Sequence, residues 1–201
     1  MGPAVKQIIE TRINYIENEE FDKLFKLVQD TFIPKTVGEL GAVLESAGLQ
    51  PIKYLDFIPE GYYFMNTMES YNVPENINKI SYQSFAYSDL KQINIPGNVK
   101  VIEDEAFRSC DFLHTVRILD GVQSIGPYSF YGCEELTKVY LPQSLKYLGS
   151  EAFGETPLTE VHYEGTIKNF RSISNHESIF KSSNVQNIWC ADGFIGLETI
   201  I

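Results

Sequence analysis

The sequence predicts an α+β repeat fold, a short solenoid with an N-terminal helical cap. Three observations predict it. Four segments align at a nearly constant period between residues 73 and 153. Apolar residues near the start recur at helical spacing instead. The tail departs from both patterns. Repeats decide architecture before any local pattern does, because each unit can bury its apolar side only against the next.

Residues 1–52 read as a helical cap or module. Val5, Ile8, Ile9, Ile13 and Ile16 fall on one helical face. Phe21, Leu24, Phe25, Leu27 and Val28 repeat the pattern after Asn18-Glu19-Glu20, a cap followed by an acidic first turn. Thr36 and Glu39 form a capping box. Leu40, Val43, Leu44 and Ala47 carry its apolar face, and Gly48 followed by Pro51 ends it. A bare solenoid end exposes apolar columns and an unpaired strand edge. The three helices therefore either cap that end or form a separate partner-binding module.

Residues 53–165 read as the repeats. The stretch 53–70, with Tyr54, Phe57, Ile58, Tyr62, Tyr63 and Phe64, is a first, degenerate strand layer. Then Phe85, Phe107, Phe130 and Phe153 recur, as do Leu90, Leu113, Leu136 and Leu158. Ile93, Val116, Val139 and Val161 make a third column; Ile80, Ile102, Ile125 and Leu148 a fourth; Ile77, Val99, Val122 and Leu145 a fifth. Each unit of about 23 residues is expected to carry one short strand and one irregular or helical arc. Leu90, Ile93 and Ile95 should face inward, and Gln92 and Asn94 outward, by the period of two. Pro74, Pro96 and Pro142 end the strands because proline has no N–H for the ladder. Ser84, Ala106, Ser129 and Ala152 precede each Phe, where a small side chain lets the arc pass close to its neighbour.

The pattern L-x-x-I-x-I-P-x-x-V-x-x-I-x-x-x-A-F-x-x-C over residues 71–165 resembles the BspA-type leucine-rich repeat. The resemblance implies a right-handed solenoid used for adhesion and protein binding. Val161-His-Tyr-Glu-Gly-Thr and the later Trp189-Cys-Ala-Asp-Gly are similar to the family's end module. That makes residues 166–201 a C-terminal capping turn and closing strand. Leu119-Asp120 departs from the usual Pro, and Thr156 from the repeat cysteine.

Composition narrows the function. A chain of 201 residues, 43% hydrophobic and 13% aromatic, can build a large core. No apolar run reaches the roughly 18–20 residues of a membrane span, so no membrane partner is expected. The net charge of −11 argues against direct nucleic-acid binding, which takes clustered cations. The start has no apolar signal region, and the three cysteines have no C-x-x-C spacing. A cytoplasmic location is expected, with a surface location following if the natural chain begins further upstream.

Catalytic motifs are absent: no G-x-S-x-G, G-x-G-x-x-G, Walker A or H-E-x-x-H. His114, His162 and His176 share no metal-ligand spacing. Cys110 and Cys133 share a column and read as packed small residues rather than a redox pair or metal site. Cys190 reads as a core thiol. No enzyme activity, catalytic residue, cofactor or metal is expected.

The surface remains. One outward column reads Asn72, Asn94, Arg117, Tyr140, His162; its companion reads Ser70, Gln92, Thr115, Lys138, Glu160. Tyr and Arg are favoured at interface hot spots. An acidic ridge of Asp89, Asp111 and Glu134, with Glu135 beside it, lies four residues past Phe85, Phe107 and Phe130; Pro157 takes that place after Phe153. The expected function is non-enzymatic binding of another protein through the sheet face. The alternative is a virus-encoded acidic inhibitor of a nucleic-acid-binding host defence enzyme. Self-association through the solenoid ends is also expected to be open to the chain.

Overall fold

A computed structural model describes residues 56–173, 179–180 and 183–196. The expected helical cap of residues 1–52 lies outside the described residues. From residue 56 onward the chain winds as a β-solenoid. Each turn lays down two strands, one long and one short. The long strands are β2 (Ser70–Asn72), β4 (Gln92–Ile95), β6 (Thr115–Ile118), β8 (Lys138–Leu141) and β10 (Glu160–Tyr163). The short ones are β1 (Phe57–Ile58), β3 (Lys79–Ile80), β5 (Val101–Ile102), β7 (Ser124–Ile125) and β9 (Tyr147–Leu148). The short strands pair in parallel as a five-stranded sheet, β1-β3-β5-β7-β9. The long ones pair in parallel within a seven-stranded sheet. That sheet ends in β11 (Asn187–Cys190) and the antiparallel β12 (Gly193–Gly196).

The register keeps every apolar column in line. Ile93 faces Val116, Val116 faces Val139, and Val139 faces Val161. Leu90, Ile93 and Ile95 are buried while Gln92 and Asn94 are exposed, as the alternation predicts. The Phe column forms a spine of nearly parallel rings. Phe85–Phe107, Phe107–Phe130 and Phe130–Phe153 sit 4.9, 5.0 and 5.2 Å apart, centre to centre. Tyr63 stacks on Phe85 at 5.0 Å, so the degenerate first layer supplies the first rung. Ser84, Ala106, Ser129 and Ala152 are all fully buried behind the spine.

Two sequence expectations need correction. The α+β class is not what the described residues show: their helix is α1 (Ile167–Arg171), five residues long. The arcs are paired turns. Residues two before and two after each Phe take positive φ, for example Glu105 and Ser109 around Phe107, at 54° and 50°. This conformation cannot propagate a right-handed helix. The N–H groups turn to the neighbouring coil instead: Phe107 donates to the Ser129 carbonyl at 2.7 Å and Ser109 to Tyr131 at 2.8 Å. The second correction concerns the single strand per unit. The column Ile80, Ile102, Ile125, Leu148 lies in a second sheet whose two-residue strands are too short to show a period of two.

At the C-terminal end the chain leaves the repeat. Thr166 caps α1 by accepting from the Asn169 N–H. Asp192 accepts the Ile167 N–H at 2.8 Å and ties the helix start to the closing hairpin.

Candidate interaction surface

The two outward columns named from sequence lie side by side on the open face of the seven-stranded sheet. Asn72 pairs in register with Asn94, Asn94 with Arg117, Arg117 with Tyr140, and Tyr140 with His162. Ser70 pairs with Gln92, Gln92 with Thr115, Thr115 with Lys138, and Lys138 with Glu160. Asn72, Gln92, Asn94, Arg117 and Glu160 are exposed; Thr115, Lys138, Tyr140 and His162 are half-buried.

The side chains along the first column touch. The Arg117 guanidinium lies 3.8 Å from the centre of the Tyr140 ring. The Tyr140 and His162 rings stack at 5.0 Å with 17° between their planes. In the companion column Lys138 meets Glu160 at 2.7 Å, and Glu160 also reaches His162 at 3.4 Å. The Lys138 hydrogen bond, then that of His162, holds the Glu160 carboxyl below its usual range. Glu160 in turn holds the Lys138 ammonium above its own. The polar face is internally matched at this point.

The column continues where the sequence pattern stops. His162 pairs in register with Trp189, and Trp189 with Phe194. Trp189 is 48% exposed and Phe194 57%, with ring centres 5.5 Å apart. Sequence reasoning missed both. The last turn inserts α1 between β10 and β11, so the constant repeat spacing is lost there. The signal that survives is the pair Ile188-Trp189, which repeats the inward-outward order of Val161-His162.

The acidic ridge is only partly assembled. Partial desolvation and then the charge of the nearby Glu134 raise the Asp111 carboxyl above the usual range, although both side chains are exposed. Glu135 points to His114, at 2.9 Å. Asp89 is half-buried. The cysteines stay free thiols. Cys110 and Cys133 are buried and donate to the Phe85 and Phe107 carbonyls at 3.1 and 3.3 Å. Burial pushes the Cys133 thiol far up. Cys190, expected in the core, is only half-buried. Among the described residues no group of His, Cys, Asp and Glu is placed to hold a metal ion. Among them, too, no helix is long and apolar enough to cross a membrane.

The model of the BspA type leucine rich repeat region matches residues 56–186, in six copies. The chain belongs to this family. The six copies of the BspA-type repeat take in the degenerate first layer and the altered last turn, beyond the four segments that align most clearly. Two solved structures are similar to this BspA-type chain. One is a leucine-rich cell surface protein from Faecalibacterium prausnitzii A2-165, 23% identical, with a TM-score of 0.41. The match covers 54% of this chain and 35% of that one. The other is a leucine-rich repeat protein from Bacteroides ovatus ATCC 8483, 23% identical, with a TM-score of 0.35. There the match covers 65% of this chain and 40% of the other. The chain thus spans about a third to two fifths of the length of these proteins. No curated protein matches it.

Proposed function

We propose that this chain is a non-enzymatic interaction module that binds a protein partner through the open face of its seven-stranded sheet. The observation that supports the reading is the unbroken in-register column from Arg117 through Tyr140, His162 and Trp189 to Phe194. Three of the five, Arg117, Tyr140 and Trp189, are of the types enriched at interface hot spots. Paired strands, parallel from β6 to β11 and antiparallel at β12, hold them about 4.8 Å apart on a rigid base, so little ordering entropy is lost on binding.

The experiment is photo-crosslinking from position 140 in the full chain, followed by alanine substitution at Arg117, Tyr140 and His162. The expected result is a protein adduct whose formation falls at least tenfold in Arg117→Ala or Tyr140→Ala, the range of a hot-spot loss of about 1.4 kcal/mol or more. Binding that survives all three substitutions would show that the sheet face is the wrong surface. Binding that weakens steeply with salt and falls with Asp111→Asn plus Glu134→Gln would move the partner to the acidic ridge, as an acidic inhibitor requires.

A further inference from the structure

We infer that the sheet face takes an extended acidic-apolar segment of a partner protein. A carboxylate of that segment docks on Arg117, and an apolar side chain about four residues away docks on Trp189 and Phe194. This inference rests on the sheet-face reading above.

The first ground is that Arg117 is the unanswered cation of the face. Four other cations of the repeats meet carboxylates: Lys79 with Glu103 at 3.0 Å, Lys91 with Glu69 at 2.6 Å, Arg108 with Glu105 at 3.3 Å and Lys138 with Glu160 at 2.7 Å. Lys100 and Lys146, off this face, donate to neutral oxygens of Gly121 and Gln123 instead. Arg117 is exposed and has no carboxylate partner among the described residues. Its guanidinium carbon lies over the Tyr140 ring, 3.8 Å from the centre, which restrains the group. The N–H donors lie in the guanidinium plane, so they stay free at its rim. A planar fork held this way matches a carboxylate with two parallel hydrogen bonds. Glu160, a neighbouring acid on the face, is engaged by Lys138.

The second ground is how the rings stand. Tyr140 has Arg117 against its ring and His162 stacked on it, so its π-surface is used within the face and its edge points outward. A sugar ring or a nucleobase needs a free aromatic face, and this half of the column offers little. Trp189 and Phe194 differ: they are tilted by 51° and each is about half exposed. They offer exposed apolar surface on which a partner's side chain can pack.

The third ground is spacing. Arg117 and Trp189 are three strands apart in the pairing order. Three steps of about 4.8 Å make roughly 14 Å, which an extended chain covers in about four residues at 3.3 Å each. The overall negative charge does not forbid this, because carboxylates on other faces are screened beyond about 8–10 Å at physiological salt.

The test is selection of a displayed random-peptide library on the full chain. Enriched peptides should carry Asp or Glu about four positions from Leu, Ile, Phe or Trp. A synthetic enriched peptide lacking Trp should shift the emission of Trp189, the chain's single tryptophan. Arg117→Gln should weaken its binding at least tenfold, and Arg117→Lys should recover only part, since the charge returns without the fork. Replacing the peptide's acid by its amide should cost the same in the wild type and little in Arg117→Gln. Enrichment of basic or uncharged peptides, an acid requirement unmoved by Arg117→Gln, or an empty selection would overturn the inference. Uncharged peptides that still shift Trp189 would sink the inference and keep the sheet face. Acidic peptides that bind without moving Trp189, and equally well to Tyr140→Ala, would sink the sheet face too.

Discussion

Phe130 sits between two other rings, 5.0 Å from Phe107 and 5.2 Å from Phe153, with no solvent exposure. Removing it leaves a hole that the turns on either side cannot close, because each is hydrogen-bonded to the next. Phe130→Ala should cost about 3–5 kcal/mol. Phe112→Ala, at a position 46% exposed, should cost less than about 0.5 kcal/mol. Urea unfolding midpoints of the two variants check this pair. Thr156, in place of the repeat cysteine, is satisfied by a different partner: its hydroxyl donates to the Phe153 carbonyl of its own turn at 2.8 Å, while the thiols of Cys110 and Cys133 donate to the Phe85 and Phe107 carbonyls of the preceding turn. Asp111 carries a sign that can be tested. Burial and Glu134 raise its carboxyl, so the folded chain holds that proton more tightly than the unfolded chain does. The resulting destabilisation is absent below the ordinary Asp range and grows as pH rises through the raised one. Asp111→Asn should therefore raise the melting temperature at pH 7 and leave it unchanged near pH 3. Equal melting at pH 7 would remove the Asp111–Glu134 repulsion.

The arc is the element whose conformation the sequence misstates most. Its Ala-Phe-x-x pattern suits a helix locally, yet positive φ at Gln83, Glu105, Tyr128 and Glu151 recurs before each Phe. Non-glycine residues in that region cost free energy. Here the inter-turn hydrogen bonds offset it, and those partners lie a full turn away in sequence. The loops after β4 and β6 are equally tight. A Cβ on Gly97 would collide with the Asp120 backbone of the next turn, and the loop cannot retreat without breaking the ladder. Gly97→Ala should destabilise by about 1–3 kcal/mol, as overpacking does, read as a fall in melting temperature. A neutral result would mean the loops are further apart than described. Leu119 illustrates a gain from departing from the pattern: where proline has no N–H, Leu119 donates to the Ile95 carbonyl at 2.9 Å.

At the scale of the whole molecule, contacts run between neighbouring turns, so stability is close to a sum of turn and interface terms. Amide exchange should be slowest in the middle of the stack, around Val116 and Val139, and faster toward β1 and β12. Uniform protection from end to end would mean the stack opens only as one unit. How far the fold could be read in advance follows from the same one-dimensional logic. The period, the inward columns and the outward faces are local properties of the chain, written in residue types at fixed spacing. Gln92, Asn94, Arg117 and Tyr140 therefore stand in the outward register that the period of two predicts, and the Phe column stacks into a spine. Tertiary structure alone decided three things. It made the arcs turns, because their N–H groups bond to the next coil. It turned Glu135 toward His114 and off the ridge, because charge pairing depends on side chains from separate turns. It carried the column on to Trp189 and Phe194, because strand register re-forms after α1 has broken the spacing on which sequence periodicity depends.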